Sequence, residues 1–332
     1  MSRHPTDLSA RYGHGGQALA SLLLLTAVCV QTTGCKHAGQ GDPSTEADPS
    51  TEASAVERPE GPMDLERAQK YVLELVNRDR AQQGLEPVEW DDVAARAARR
   101  HAEDMVGHGY TGHWGSDGSV PELRYTEAGG VHMNQENAGC FFDGVEREVE
   151  NHPLIAASEV EKIEAAFMNE TPPNDGHRRN ILKPTHNRVG IGLAQPRGLG
   201  QVCMAQEFVD EYGDYEALPR SARRRAAITV AGEVSAPVKF GGVGIARTEL
   251  PRPMAFEELS PKKTYHVPEP YVLYFPAGYK TPKPVHLQGR HFSIGVTLDD
   301  HGAAGLYEVS VWGKHPGSDA LVPISLRTIV VE

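Results

Sequence analysis

The chain predicts an α+β protein, a mixed helix-and-strand sandwich followed by an all-β sandwich. Three observations carry this. Between residues 64 and 105, apolar residues recur at helical period in two runs. Between 189 and 209, two short apolar runs flank a glycine-bearing turn. From 226 onward, short β-branched and aromatic runs follow one another with turns between them. Helix, helix, loops, helix, strands is the order of a layered α/β/α unit. A chain of 332 residues has room for about two domains, and the change of character at 226 separates them.

Residues 1–35 read as a lipoprotein-type signal peptide. Arg3 and Arg11 precede an apolar run, Ala18 to Val30, too short to span a bilayer as a helix. Thr32-Thr33-Gly34-Cys35 resembles a bacterial lipobox, with Thr32 in place of the usual leucine. On that reading Cys35 is lipidated and the membrane is the first partner; without lipidation the protein is secreted. Lys36, rather than an aspartate, points to the outer membrane or cell surface. Residues 36–62 form a tether, in which Asp42-Pro-Ser-Thr-Glu-Ala47 repeats at once as Asp48-Pro-Ser-Thr-Glu-Ala53. Such a segment has too little apolar area to offset chain entropy.

Residues 63–212 form the first folded domain. Asp64 caps a helix with Leu65, Ala68, Val72, Leu75 and Val76 on one face, and Gly84 ends it. A second helix opens at Asp91 or Asp92, with Ala94, Ala97, Ala98, His101, Ala102 and Met105 in one stripe. The small residues call for close packing, and His101 on that stripe is a core residue rather than a ligand. Residues 107–153 are Gly-rich and read as loops. Ser158 to Glu170 is a helix stopped by Pro172 and Pro173. Residues 189–194 and 201–209 are a hairpin, with Gly198 and Gly200 in its turn.

Residues 213–225, with their arginine cluster, read as a linker. Residues 226–332 form the β-sandwich, with strands at 228–230, 271–275, 292–298, 306–312 and 324–331. Tyr307-Glu-Val-Ser-Val-Trp-Gly313 resembles a core strand of an Ig-like module. No ligand cluster or nucleophile motif occurs there.

Net charge is −12, with a pI near 5.7. Nucleic acid is excluded as a partner, because phosphate contacts need clustered Lys and Arg on a binding face. Outside the cytoplasm, Cys140 and Cys203 either form a disulfide or stay as two buried thiols.

His113, Glu136, Glu170 and His177 stand in Gly- and Pro-rich surroundings. Two imidazoles suit zinc and its neighbours and leave open positions for water or substrate. Carboxylates can ligate, orient a histidine, or take a proton from bound water. The seven-residue step from Glu170 to His177, broken by prolines and Gly176, is not the HExxH helix of metallopeptidases. No Gly-x-Ser-x-Gly elbow occurs. Cys140 with His113 as base is the remaining nucleophile pairing.

Several segments together resemble the CAP superfamily of cysteine-rich secretory proteins, venom antigens and plant pathogenesis-related proteins. They are Leu75-Val-Asn-Arg-Asp-Arg-Ala81, Trp90-Asp91, His101-Ala-Glu-Asp-Met105, His113-Trp-Gly-Ser-Asp-Gly118 with Glu122 and Arg124, Glu136-Asn137-Ala138, and Gly176-His-Arg-Arg-Asn-Ile-Leu182 with Arg188-Val-Gly-Ile-Gly192. The resemblance implies a CAP-type α/β/α sandwich and a cleft tetrad of His113, Glu136, Glu170 and His177. Phe167 stands where the family's form has tryptophan. Three functions follow as expectations: a cation-binding cleft taking an unknown small-molecule, lipid or protein ligand; a metal-dependent hydrolase using the tetrad; or a structural polar network without metal.

Overall fold

The Asp64 carboxylate accepts from the Arg67 N–H at 2.9 Å and caps α1 (Leu65–Ala81). The computed structural model describes residues 56–262 and 264–332. The signal segment, Cys35 and most of the expected tether lie outside them. Residues 56–62 already lie on the domain, with Val56 against the core and Arg58 paired to Glu161 at 2.8 Å.

β1 (Glu89–Trp90) leads into α2 (Asp92–His108), capped by Asp91 and closed by Gly109 in the left-handed region. The stretch 107–153, expected as loops, carries α3 (Pro121–Ala128) and β2 (Met133–Gly139). One is only eight residues long. The other buries Asn134, Glu136 and Asn137, so no apolar alternation announces it. α4 (Ala157–Met168) ends short of Glu170, which lies in the loop beyond. α5 (Gly176–Ile181) follows, where a loop was expected. β3 (Arg188–Ala194) and β4 (Cys203–Asp210) pair antiparallel as the expected hairpin.

These strands form a sheet of order β1-β3-β4-β2 with helices on both faces. Val189, Ile191, Leu193, Met204 and Phe208 pack with α1 and α4 in one core. The alternate residues of β3 are glycines because α2 lies directly on them. A Cβ at Gly190 would stand 2.0 Å from the Ala95 nitrogen, and one at Gly192 2.1 Å from the Ala98 carbonyl carbon. The alanine stripe of α2 and the Gly-x-Gly of β3 are therefore one feature, a close backbone approach.

The expected linker holds two short strands, β5 (Gly213–Tyr215) and β6 (Ser221–Ala222), which pair with the β domain and so do not hang free. Then follow β7 (Ala227–Val234), β8 (Lys239–Thr248), α6 (Phe256–Leu259), β9 (Val272–Tyr274), β10 (His286–Gln288), β11 (His291–Thr297), β12 (Gly305–Lys314) and β13 (Val322–Val331). They make two sheets, β10-β11-β7-β5 and β6-β13-β12-β8-β9. Val230, Ile294, Val243, Ile245, Val309 and Ile329 share the core. β8 escaped the sequence reading because Gly241, Gly242 and Gly244 look like a turn. A Cβ at Gly244 would stand 2.6 Å from Ser310 Oγ, so that glycine admits the neighbouring strand's side chain.

Residues 249–262 and 264–271 leave β8 and cross to the first domain before returning to β9. Met254 N–H donates to Ser116 O at 2.7 Å. Met254, Phe256 and Leu259 join Ala102, Met105 and Tyr110 in one apolar cluster. Gly118, at φ +84°, lies so close that a Cβ there would be 2.3 Å from Arg252 O. This strap carries Tyr265 to the candidate site.

Candidate functional site

The four predicted residues come together as two imidazole–carboxylate pairs. His113 sits in the loop after α2 and Glu136 on β2, with His113 Nδ1 3.0 Å from Glu136 Oε1. His177 opens α5, with its Nδ1 2.6 Å from Glu170 Oε1 and its backbone N–H donating to Glu170 Oε2 at 2.9 Å. The two imidazole rings stand 6.4 Å apart between centroids. Asn180 ties the halves, donating to Glu136 O at 3.2 Å and Asn137 Oδ1 at 3.0 Å.

Arg124 of α3 fixes the first pair. Its guanidinium donates to Glu136 Oε2 at 2.7 Å, to His113 O at 3.0 Å and to Ser119 O at 3.0 Å. Burial opposes charge on Glu136, but Arg124, His101 and His113 outweigh it and hold the carboxyl well below the usual range. His101 is the core residue the sequence indicates, fully buried, its Nε2 2.7 Å from Gly112 O. It also backs the site, 3.6 Å from Glu136 Oε1. Burial, then the Arg124 charge, lowers it to about 4, so it is neutral at pH 7. Burial also lowers His177, against the pull of Glu170.

Glu207 is a residue the sequence reading missed. It stands opposite Glu136 in the β2–β4 register, where two carboxylates would repel. Burial and the Glu136 charge push Glu207 well above the usual range, so it is a neutral acid beside an ionised one. Asn134 Nδ2 donates to its Oε2 at 2.8 Å. Only the strand register reveals this pair. Arg124 is equally silent by itself, being one arginine in an eight-residue helix.

Aromatic rings line the rim. Phe167 stands 4.4 Å from His177 between centroids. Tyr265 of the strap stands 6.4 Å from His113 and packs edge-on against Trp114 at 5.0 Å. Its hydroxyl donates to Glu122 Oε1, and Lys262 lies 4.6 Å over the Trp114 ring. No feature of the strap sequence points to this contact.

An imidazole beside a carboxylate donates from Nδ1, which leaves Nε2 as a lone-pair donor. Two such nitrogens fit a zinc-class cation. Among the described residues, no group of three His, Cys, Asp or Glu is disposed around one ion, so water or ligand would complete the shell. Glu136, expected as a metal ligand, meets Arg124 through Oε2 and His113 through Oε1, contacts that can orient the His113 ring. Cys140, the alternative nucleophile, is bonded to Cys203. The Gly139–Met204 register of β2 and β4 brings the two cysteines opposite each other.

Residues 73–208 match the profile of the CAP family, described as the cysteine-rich secretory protein family. The chain is 29% identical over 136 residues to the uncharacterized protein YkwD of Bacillus subtilis, 40% of this chain and 45% of that protein. It is 27% identical over 127 residues to the uncharacterized membrane protein YlbC of the same organism, 38% of this chain and 31% of that one. It thus spans less than half the length of the curated relatives it matches. A crystal structure of an extracellular protein containing a SCP domain from Bacillus anthracis aligns with 44% of this chain and 41% of its own, at 19% identity and TM-score 0.34. Residues 73–208 are a CAP domain of the cysteine-rich secretory protein family.

Proposed function

We propose that this protein is an extracytoplasmic binding module. Its cleft takes a divalent cation of the zinc class on the Nε2 atoms of His113 and His177 and, through that cation, a small-molecule, lipid or protein ligand. One observation carries this reading: each imidazole is held from behind by a carboxylate on Nδ1, while its Nε2 is bonded to none of the described residues. A purely structural network has no need of such free nitrogens. The side chains of His177 and Glu170 are also 27% and 24% exposed, which gives a ligand access. Metal-dependent hydrolysis needs a free general base. Glu136 is committed to Arg124 and His113, and Glu170 to His177, so binding is favoured over turnover.

The Cys140–Cys203 bond supports an oxidising compartment. That agrees with export through the signal segment and anchoring at Cys35. No helix among the described residues is long and apolar enough to cross a membrane.

The test is calorimetric titration of the full-length protein with zinc, magnesium and calcium, beside the His113→Ala/His177→Ala double variant. Saturable binding that the double variant loses supports the reading. A folded wild type that binds none of the three overturns the cation site.

A further inference from the structure

Away from the cleft, the same strap roofs a second feature. Residues 267–270, Val-Pro-Glu-Pro, lie across the outer face of the five-stranded sheet and enclose a cavity of about 120 Å³. Its floor includes Glu308, Ser310 and Trp312, at alternate positions of β12 and so on one face of the strand. Leu326 and Pro323 of β13 add apolar surface. None of the lining residues is basic.

Glu308 is the anomaly. It is 1% exposed, yet among the described residues Oε2 has no hydrogen-bond partner and Oε1 receives only a long contact from Thr248 Oγ1 at 3.4 Å. Burial first, and the neighbouring Glu122 second, push its carboxyl up to about 9. Buried polar groups are ordinarily hydrogen-bonded, and buried charges ordinarily paired. Here the protein supplies an acid, opens it onto a cavity, and provides no cation. Trp312 Nε1 donates to Ser310 Oγ at 2.8 Å, which fixes the indole in the wall and uses up the hydroxyl as an acceptor.

We propose that this cavity is a binding site for a small organic ammonium ion, with Glu308 as its counter-ion, releasing its proton to solvent as the ion enters, and the Trp312 indole as its aromatic wall. An ammonium over an indole face is attracted by the ring's negative face, most strongly when desolvated, the interaction used by aromatic cages for methylated amines. Alkyl groups on the nitrogen would lie against Pro268, Pro270 and Leu326. Glu269, exposed on the roof, places a second negative charge at the mouth. An inorganic cation fits poorly. It needs several oxygen ligands, and the cavity has one unbonded carboxyl oxygen among mostly carbon. The cavity has room for a trimethylammonium head, which is smaller than the benzene that enters apolar cavities of ~150 Å³; the hydroxyethyl arm of choline would project through the mouth beside Glu269. The cavity shares no lining residue with the His113–Glu136–Glu170–His177 tetrad.

The full-length protein is titrated calorimetrically with choline and, separately, with its uncharged isostere 3,3-dimethylbutan-1-ol. The expected result is saturable choline binding, with the isostere weaker by about ten-fold or more, the loss of one charge contact. Glu308→Gln keeps the side-chain volume and should melt like the wild type while losing choline binding. Trp312→Leu should weaken choline and leave the isostere little changed. No saturable choline binding, equal binding of the isostere, or wild-type choline binding by Glu308→Gln overturns the proposal. If the glutamine variant does not fold, the choline–isostere comparison on the wild type decides alone.

Discussion

The two halves of the cleft are built to opposite specifications. The His113–Glu136 half stands on a central strand and a caged loop. Glu136 is wholly buried, bonded on both oxygens and backed by His101, Arg124 and Glu207. The His177–Glu170 half stands on a post-helix loop and a six-residue helix, about a quarter exposed, with each residue bonded mainly to the other. One half is fixed by the sheet and the other is held by a single pair. A ligand entering between them, as proposed, would meet one wall fixed by many bonds and one held by few.

The largest effect should come from breaking the fixed half. Arg124→Leu leaves Glu136 buried without its cation and should cost ~3–5 kcal/mol in urea denaturation. A cost below ~1 kcal/mol would show that the two halves are not so different.

Acid should act next, through the same half. A histidine held neutral in the folded state binds its proton only after unfolding. Its contribution is therefore present above the unfolded value near 6.5 and is lost as pH falls toward the folded value. For His101, lowered to about 4, that window is pH 6.5 to 4 and the loss is at most ~3 kcal/mol. Glu136, held low by its partners, adds a further loss as pH falls below ~4. Stability measured from pH 7 to 4 should slope downward, and His101→Gln should flatten much of that slope.

The exposed half should respond differently. Glu170→Gln should change stability by under ~1 kcal/mol, since the pair is partly solvated. By weakening the hold on His177 Nδ1, it should lower zinc affinity by ~10–100-fold. A stability loss as large as that of Arg124→Leu would erase the contrast. Smallest of all, Tyr265→Phe removes one hydrogen bond to Glu122 and should cost ~1 kcal/mol, readable as a small drop in melting temperature.

The same contrast governs what the sequence reveals. α1, α2, α4 and the β3–β4 hairpin were legible because apolar side chains mark their buried faces at the right period. β2 was not, because its buried side chains are the polar ones that make the site. β8 was hidden by glycines that are there to admit neighbours. The four tetrad residues were found through motif order, but their division of labour was not. Glu136 looks like a ligand in the sequence. That Arg124, twelve residues earlier in another element, bonds its second oxygen is visible only in the fold. Tyr265 and Glu308 lay beyond reach, since a strap's destination is a long-range fact that no local pattern encodes.

The strap also bears on how this chain can be cut and recombined. Met254, Phe256 and Leu259 fill an apolar hollow beside α2 and the Cys140–Cys203 bond. A gene truncated at residue 212 would still encode His113, Glu136, Glu170 and His177. The shortened product would fold around a wetted patch that the intact protein never exposes, and would invite aggregation or chaperone capture. In evolutionary terms the β domain is no detachable passenger. Its loop completes the surface of the domain it follows, so separating the two would uncover that surface.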